Sequence, residues 1–183
     1  SIDTKRALVV HEYLGLLNVD DTNYVVSSQL VGFDAATFAL IKKRVDILIV
    51  IDDSASMDYH QRNLSKYIDN LVNKISSRSI DYHIGITSTD PKFNGRLLGS
   101  IPFVTPKTPK GMDILKKSTL LGTYGNASEV PFKAIIDAID INNTCKGCAN
   151  DKFFRRSANL EIITVSDTED HSTYSASDIT NAL

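Results

Sequence analysis

The feature that most restricts the fold is a short apolar block, Ile47-Leu-Ile-Val-Ile51. An unbroken apolar run of this length has no wet face, so it predicts a central parallel strand buried on both sides. Residues 59–77 then place Leu64, Ile68, Leu71, Val72 and Ile75 on one side of a helix. A second strand is expected over 82–87 and a third over 96–101. The link between them, Thr89-Asp-Pro-Lys-Phe-Asn-Gly95, is too short for a helical crossover, so the third strand is expected to run antiparallel. A loop follows that contains Pro102, Pro106 and Pro109. Residues 128–141 fit a helix that carries Pro131 in its first turn. A polar loop over 142–150 leads to another buried strand over 160–165, and 175–183 can make only a short helix. The alternation predicts an α/β fold: a doubly wound, mostly parallel open sheet with one antiparallel edge strand. In such sheets ligands bind beyond the carboxyl ends of the strands.

Residues 1–44 read as a β-rich N-terminal extension, with a β-rich run over 24–31 and a short helix over 34–43. The domain proper is expected over 45–183. With 16 residues after Asp167, the strand over 160–165 is expected to lie at an open edge, as in a domain whose C-terminal strands are missing. Pairing with the 24–31 run is the weaker substitute. A net charge of −2 gives no electrostatic case for nucleic acid or an anionic membrane, and no apolar run is long enough to span a bilayer. The acids divide into 18 Asp and 4 Glu, which places carboxylates at caps, turns and loops, where metal sites are usually built.

Directly after the first buried strand stands Asp52-Asp-Ser-Ala-Ser56, a D-x-S-x-S pattern. Alternate residues of a tight loop can aim three oxygens at one point. A hard cation such as Mg²⁺ takes about six oxygens. Two of the three here are neutral hydroxyls, so most of the ion's charge stays uncompensated and attracts a carboxylate. That is a device for binding. The competing reading is local: Asp and Ser also cap helices, and a helix follows.

The segment from Val45 to Met57 resembles the opening of a von Willebrand factor A domain with its metal-ion-dependent adhesion site. The resemblance extends to Thr123 in Leu-Gly-Thr-Tyr-Gly125, ahead of a helix, and to Asp167 at the end of Ile-Ile-Thr-Val-Ser-Asp167. Tyr82-His-Ile-Gly-Ile-Thr87 and Asp167-Thr-Glu-Asp-His171 resemble bacterial surface and secreted members. The similarity spans about residues 45–175. It implies that Ser54, Ser56 and Thr123 touch the metal, Mg²⁺ or else Mn²⁺ or Ca²⁺, while Asp52 and Asp167 act through water. It implies a non-enzymatic adhesion or recognition domain whose partner is a protein or surface ligand presenting a carboxylate. Thr168 stands where the family often has glycine, which leaves Glu169 and Asp170 as added ligands or as solvated loop acids.

Rim candidates around such a site are Asp53, Ala55, Met57, Tyr59, Tyr124, Asn126 and His171, with the Asp53 side chain turned away from the ion. A metal-assisted hydrolase or phosphatase on a similar sheet is the rival, but it needs a general base or nucleophile beside the ion. A structural surface subunit with a vestigial site is the third reading. Cys145-Lys-Gly-Cys148 fits a redox pair, half a zinc site or a small disulfide. It follows a helix inside a polar loop and has no partner pair, so the disulfide is preferred. That pairing implies an oxidising, extracytoplasmic location. His83 alternates along a strand as a packed or edge histidine, and His60 joins His171 near the rim.

Overall fold

The computed structural model of the chain describes residues 8–14, 44–126 and 128–182. Its elements are β1 (Leu8–Leu14), β2 (Arg44–Ile51), α1 (Asp58–Ser77), β3 (Asp81–Ser88), β4 (Phe103–Val104), α2 (Gly111–Ser118), α3 (Pro131–Thr144), β5 (Asn159–Ser166) and α4 (Ala176–Ala182). The runs expected over 24–31 and 34–43 lie outside the described residues.

The strands form one sheet in the order β1-β5-β2-β3-β4. β2 pairs in parallel with both β3 and β5, as its two-sided apolar character requires, and only the β3–β4 pair is antiparallel. Ile47, Ile49 and Ile51 face one layer, where Ile68, Val72 and Ile75 of α1 and Leu115 of α2 complete a core. Leu48 and Val50 face the other layer, with Ala134, Ile135, Ala138 and Ile139 of α3 and Ile179 of α4. Helices therefore cover both faces of a mixed, open α/β sheet.

Three expectations need correction. The antiparallel edge strand is Phe103–Val104, not 96–101; Leu97 is buried and Leu98 donates to Ile86 O at 2.8 Å, but Gly99, with φ +114°, turns the chain away before a ladder forms. The segment after the three prolines is not all loop. It contains α2, which packs on α1 and is tied there by Lys116 Nζ on Asp69 Oδ2 at 2.8 Å and by Ser65 Oγ on Lys116 O at 3.0 Å. Finally, the strand over 160–165 is not an open edge. β1 pairs with it in parallel from Leu8↔Leu160 to Leu14↔Ser166, so its polar backbone groups are taken up on both sides. The pairing segment is 8–14, inside the β-rich N-terminal extension but outside the 24–31 run expected to be its strand.

At the end of the sheet away from the carboxyl termini, Asp46 is almost fully buried and held by Arg155, whose backbone N–H donates to Oδ2 at 2.5 Å and whose Nε donates to Oδ1 at 2.8 Å. His83 packs beside Phe103 and Phe153 and bonds Phe153 O through Nδ1 at 2.9 Å, the packed role expected of it. Cys145 and Cys148 are joined as a disulfide in the loop after α3. Among the described residues, no helix is long and apolar enough to cross a membrane.

Candidate functional site

The parallel register sets Ile51 level with Ser88 on one side and Val165 on the other. Three chain segments therefore leave the sheet together, carrying Asp52 and Asp53, Thr89 and Asp90, and Ser166 and Asp167. Backbone bonds hold the exits in line: Asp52 N donates to Val165 O at 2.9 Å and Thr89 N to Ile51 O at 3.1 Å. This is the crevice at which open α/β sheets bind ligands.

Asp52 is fully buried. Its Oδ1 accepts from Ser54 N at 2.7 Å and its Oδ2 from Ser166 Oγ at 2.7 Å. The carboxylate is thereby oriented by one donor from its own loop and one from β5. The capping reading fails for Ser54, since neither the 3-10 turn at Ala55–Met57 nor α1 has a side-chain cap. The Ser54 and Ser56 hydroxyls instead lie 3.4 Å apart at the surface of the loop. Hydroxyls that serve no cap are available to a ligand.

Thr123 sits half-buried in the loop beside them. That loop is pinned at both ends. Gln61, buried on α1, donates through Nε2 to Asp52 O and to Gly122 O, each at 2.9 Å, while its Oε1 accepts from Gly122 N at 3.2 Å. Gly125 N donates to Asp53 O at 2.7 Å, and the approach is so close that a Cβ there would lie 2.6 Å from Asp53 Cγ. Asp167 is half-buried, but its Oδ1 is enclosed and has no hydrogen-bond partner. A buried carboxylate oxygen without a donor is costly unless a ligand supplies positive charge.

Next to these residues lies a second group of acids. Asp53 is buried and accepts from Ser88 Oγ at 2.5 Å; Lys92 Nζ stands 3.5 Å from its Oδ2 and 2.6 Å from Asp90 Oδ2. Asp90 also accepts from Lys92 N at 2.9 Å and Asn126 N at 3.0 Å. Burial pushes the Asp90 carboxyl up, but the Lys92 and Asn126 bonds and the Lys92 charge outweigh it and hold Asp90 below the ordinary value. The bond to Asp90 in turn raises the Lys92 ammonium, helped by the charge of Asp53. Glu129 is fully buried. Its Oε2 bonds Thr89 Oγ1, and its Oε1 has no partner. Burial, followed by the negative charges of Asp52, Asp53 and Asp90, pushes the Glu129 carboxyl up to about 7 against the Thr89 bond.

The rim candidates divide. Tyr59, Tyr124, Asn126 and His171 are exposed around the loops, as is Ala55. His171 N donates to Glu129 O at 2.9 Å, tying the 167–171 loop to the neighbouring one. Met57 is not at the rim: it is fully buried beneath the loop, because the 3-10 turn rotates it inward. Asp53 is not exposed either, being 4% accessible and engaged with Ser88 and Lys92. Asp170 is occupied locally by Ser172, accepting from its N and Oγ.

Gln61, Ser166 and Glu129 were missed by the sequence reading. Gln61 had a signal, since it falls on the apolar face of α1 one turn before Leu64 and two before Ile68, where an amide must be satisfied internally. Glu129 had none, because a helix starting at 128 would place it in the first turn, whereas α3 starts at Pro131 and leaves Glu129 in a loop that turns inward. Among the described residues there is no group of three or more His, Cys, Asp or Glu arranged to hold a metal; the candidate set combines two carboxylates with three hydroxyls. Comparison with known protein families, curated proteins and solved structures gives no match for this chain.

Proposed function

We propose that this is a divalent-metal-dependent ligand-binding domain of the von Willebrand factor A type, with Asp52, Ser54, Ser56, Thr123 and Asp167 as the cation's donors. The observation that carries the reading is the buried, partnerless Oδ1 of Asp167, on the strand exit next to the Asp52 loop, whose Ser54 hydroxyl caps nothing. The donor set is all oxygen, which suits Mg²⁺ or Mn²⁺, with Ca²⁺ as a further fit. When bound, the ion supplies an electrostatic anchor for a carboxylate of a protein or surface ligand.

The chain's own residues do the rest. Ser166 and the Ser54 N–H hold the Asp52 carboxylate, and Gln61 couples the Asp52 loop to the Thr123 loop. Tyr59, Tyr124, Asn126 and His171 form the surface a ligand would meet. The disulfide suits an extracytoplasmic recognition module. Calorimetric titration with MgCl₂ and MnCl₂ tests the reading. Asp52→Ala, Ser54→Ala and Asp167→Ala should each weaken binding, and unchanged affinity in all three would sink it.

A further inference from the structure

Glu129 stands out because nothing in the reading above uses it. It is 0% exposed, as is Thr89, whose Oγ1 bonds its Oε2. Thr89 is fixed to the end of the sheet, its N donating to Ile51 O at 3.1 Å. Two backbone bonds flank the side-chain bond: Val130 N donates to Thr89 O at 3.2 Å, and His171 N to Glu129 O at 2.9 Å. Glu129 thus ties together the β3 exit, residues 128–130 and the 167–171 loop. The tie suits a neutral carboxyl and not an anion. Asp52 and Asp53 from the β2 exit and Asp90 from the β3 exit face it with negative charge, and Lys92 is engaged by Asp53 and Asp90. The 167–171 loop brings Asp167, Glu169 and Asp170 with an exposed His171, while on α3 Lys133 is paired with Asp137. Among the described residues no cation pairs with Glu129. A protonated carboxyl shares its proton with Thr89 Oγ1 and leaves Oε1 as a neutral oxygen without a donor, a modest cost. An anion there has one donor and no counter-charge, which is far worse.

We propose that Glu129 is a proton-operated latch: neutral, it locks residues 128–130 and the 167–171 loop onto the β3 exit; ionised, it turns out to water and releases both. The latch needs no bound ion. Because the 167–171 loop carries the exposed His171, acid fixes that side of the rim and neutral pH loosens it. The sign follows from where the proton binds. Burial, then the three neighbouring carboxylates, raise the latched carboxyl from 4.5 to about 7, while a released side chain in water returns to the ordinary value. Opening therefore becomes more favourable as pH rises between those two values, and it levels off above about 7.

The test is amide hydrogen exchange by NMR from pH 5 to 8 in excess chelator, with rates corrected for the intrinsic pH dependence of exchange. Protection of the Val130 and His171 amides should fall roughly tenfold or more between pH 5 and 7 and then level off. Both should exchange faster than the β2 amides at every pH, which marks a local opening and not unfolding. In the same samples the carbon-13 signal of the Glu129 carboxyl should titrate near 7. Glu129→Gln separates this acid from the histidines: it should hold both amides at their pH 5 protection throughout. Protection that ignores pH, or a fall that persists in Glu129→Gln, overturns the proposal. So does exchange no faster than in β2, which would leave Glu129 a merely buried acid. Should Glu129→Gln fail to fold, the unsubstituted chain decides: a Glu129 carboxyl that titrates below pH 5.5, or apart from the two amides, overturns the latch. None of these outcomes touches the metal reading, which the MgCl₂ and MnCl₂ titrations test separately.

Discussion

Arg155→Ala is expected to remove a large part of the stability of this domain without touching the candidate site. Arg155 reaches Asp46 through its backbone N–H and Nε, Asp81 Oδ2 through Nη1 at 2.7 Å, and the carbonyls of Val45 and Asp81 through Nη2. The Asp81 arm is half exposed, so screening limits it to about 0–1 kcal/mol. The Asp46 arm decides the outcome, since its carboxylate is 2% exposed. Stranding a buried charge costs about 3–5 kcal/mol. The backbone N–H survives the substitution, so the low end, about 3 kcal/mol, is expected. Urea unfolding should then show a midpoint lower by roughly 1–2 M. The loss should depend on pH. Burial already pushes the Asp46 carboxyl above its ordinary value, and removing the Arg155 side-chain bond and charge pushes it further. A carboxyl raised in the folded state destabilises above its folded pKa, and the penalty recovers as pH falls toward the unfolded value. The variant should therefore lose most near pH 8 and least near pH 4.5. A cost under 1 kcal/mol, or one equal at both pH values, would refute the argument.

In chelator, the unsubstituted protein should lose stability as pH rises through about 7, because Glu129 is raised from 4.5 to about 7; the change is on the order of 2–3 kcal/mol, should vanish in Glu129→Gln, and can be followed by chemical denaturation from pH 5 to 8. Gly125→Ala should weaken Mn²⁺ binding in calorimetry and lower Tm, since the added methyl drives the Thr123 loop off Asp53. Reduction of Cys145–Cys148 should cost about 2 kcal/mol or less, because the loop it closes is very short; thiol labelling of denatured, unreduced protein should find no free sulfhydryl.

Much of the architecture was legible because it depends on local pattern. The run 47–51 has no wet face, so it had to be a central strand, and the apolar stripe at Leu64, Ile68 and Ile75 had to face it. The D-x-S-x-S loop was legible for the same reason, since it lies between a strand and a helix that both announce themselves. What the sequence could not determine is held by partners distant in the chain. β1 carries no pattern that names β5, yet it closes that edge across some 150 residues. α2 is too short to declare itself between three prolines and a glycine-rich loop, and it is positioned by Ser65 and Asp69 of α1. Met57 reads as a surface neighbour of the motif until a 3-10 turn buries it. Glu129 would fall in the first turn of the helix expected from 128, yet tertiary packing buries it with Oε2 on Thr89 Oγ1. The spacing of hydrophobic residues thus determined the central strands and the two long helices over them, and it put the D-x-S-x-S loop at the carboxyl end of β2. Only the folded chain decided which carboxyls are desolvated together, because desolvation depends on what packs over a group and not on what precedes it.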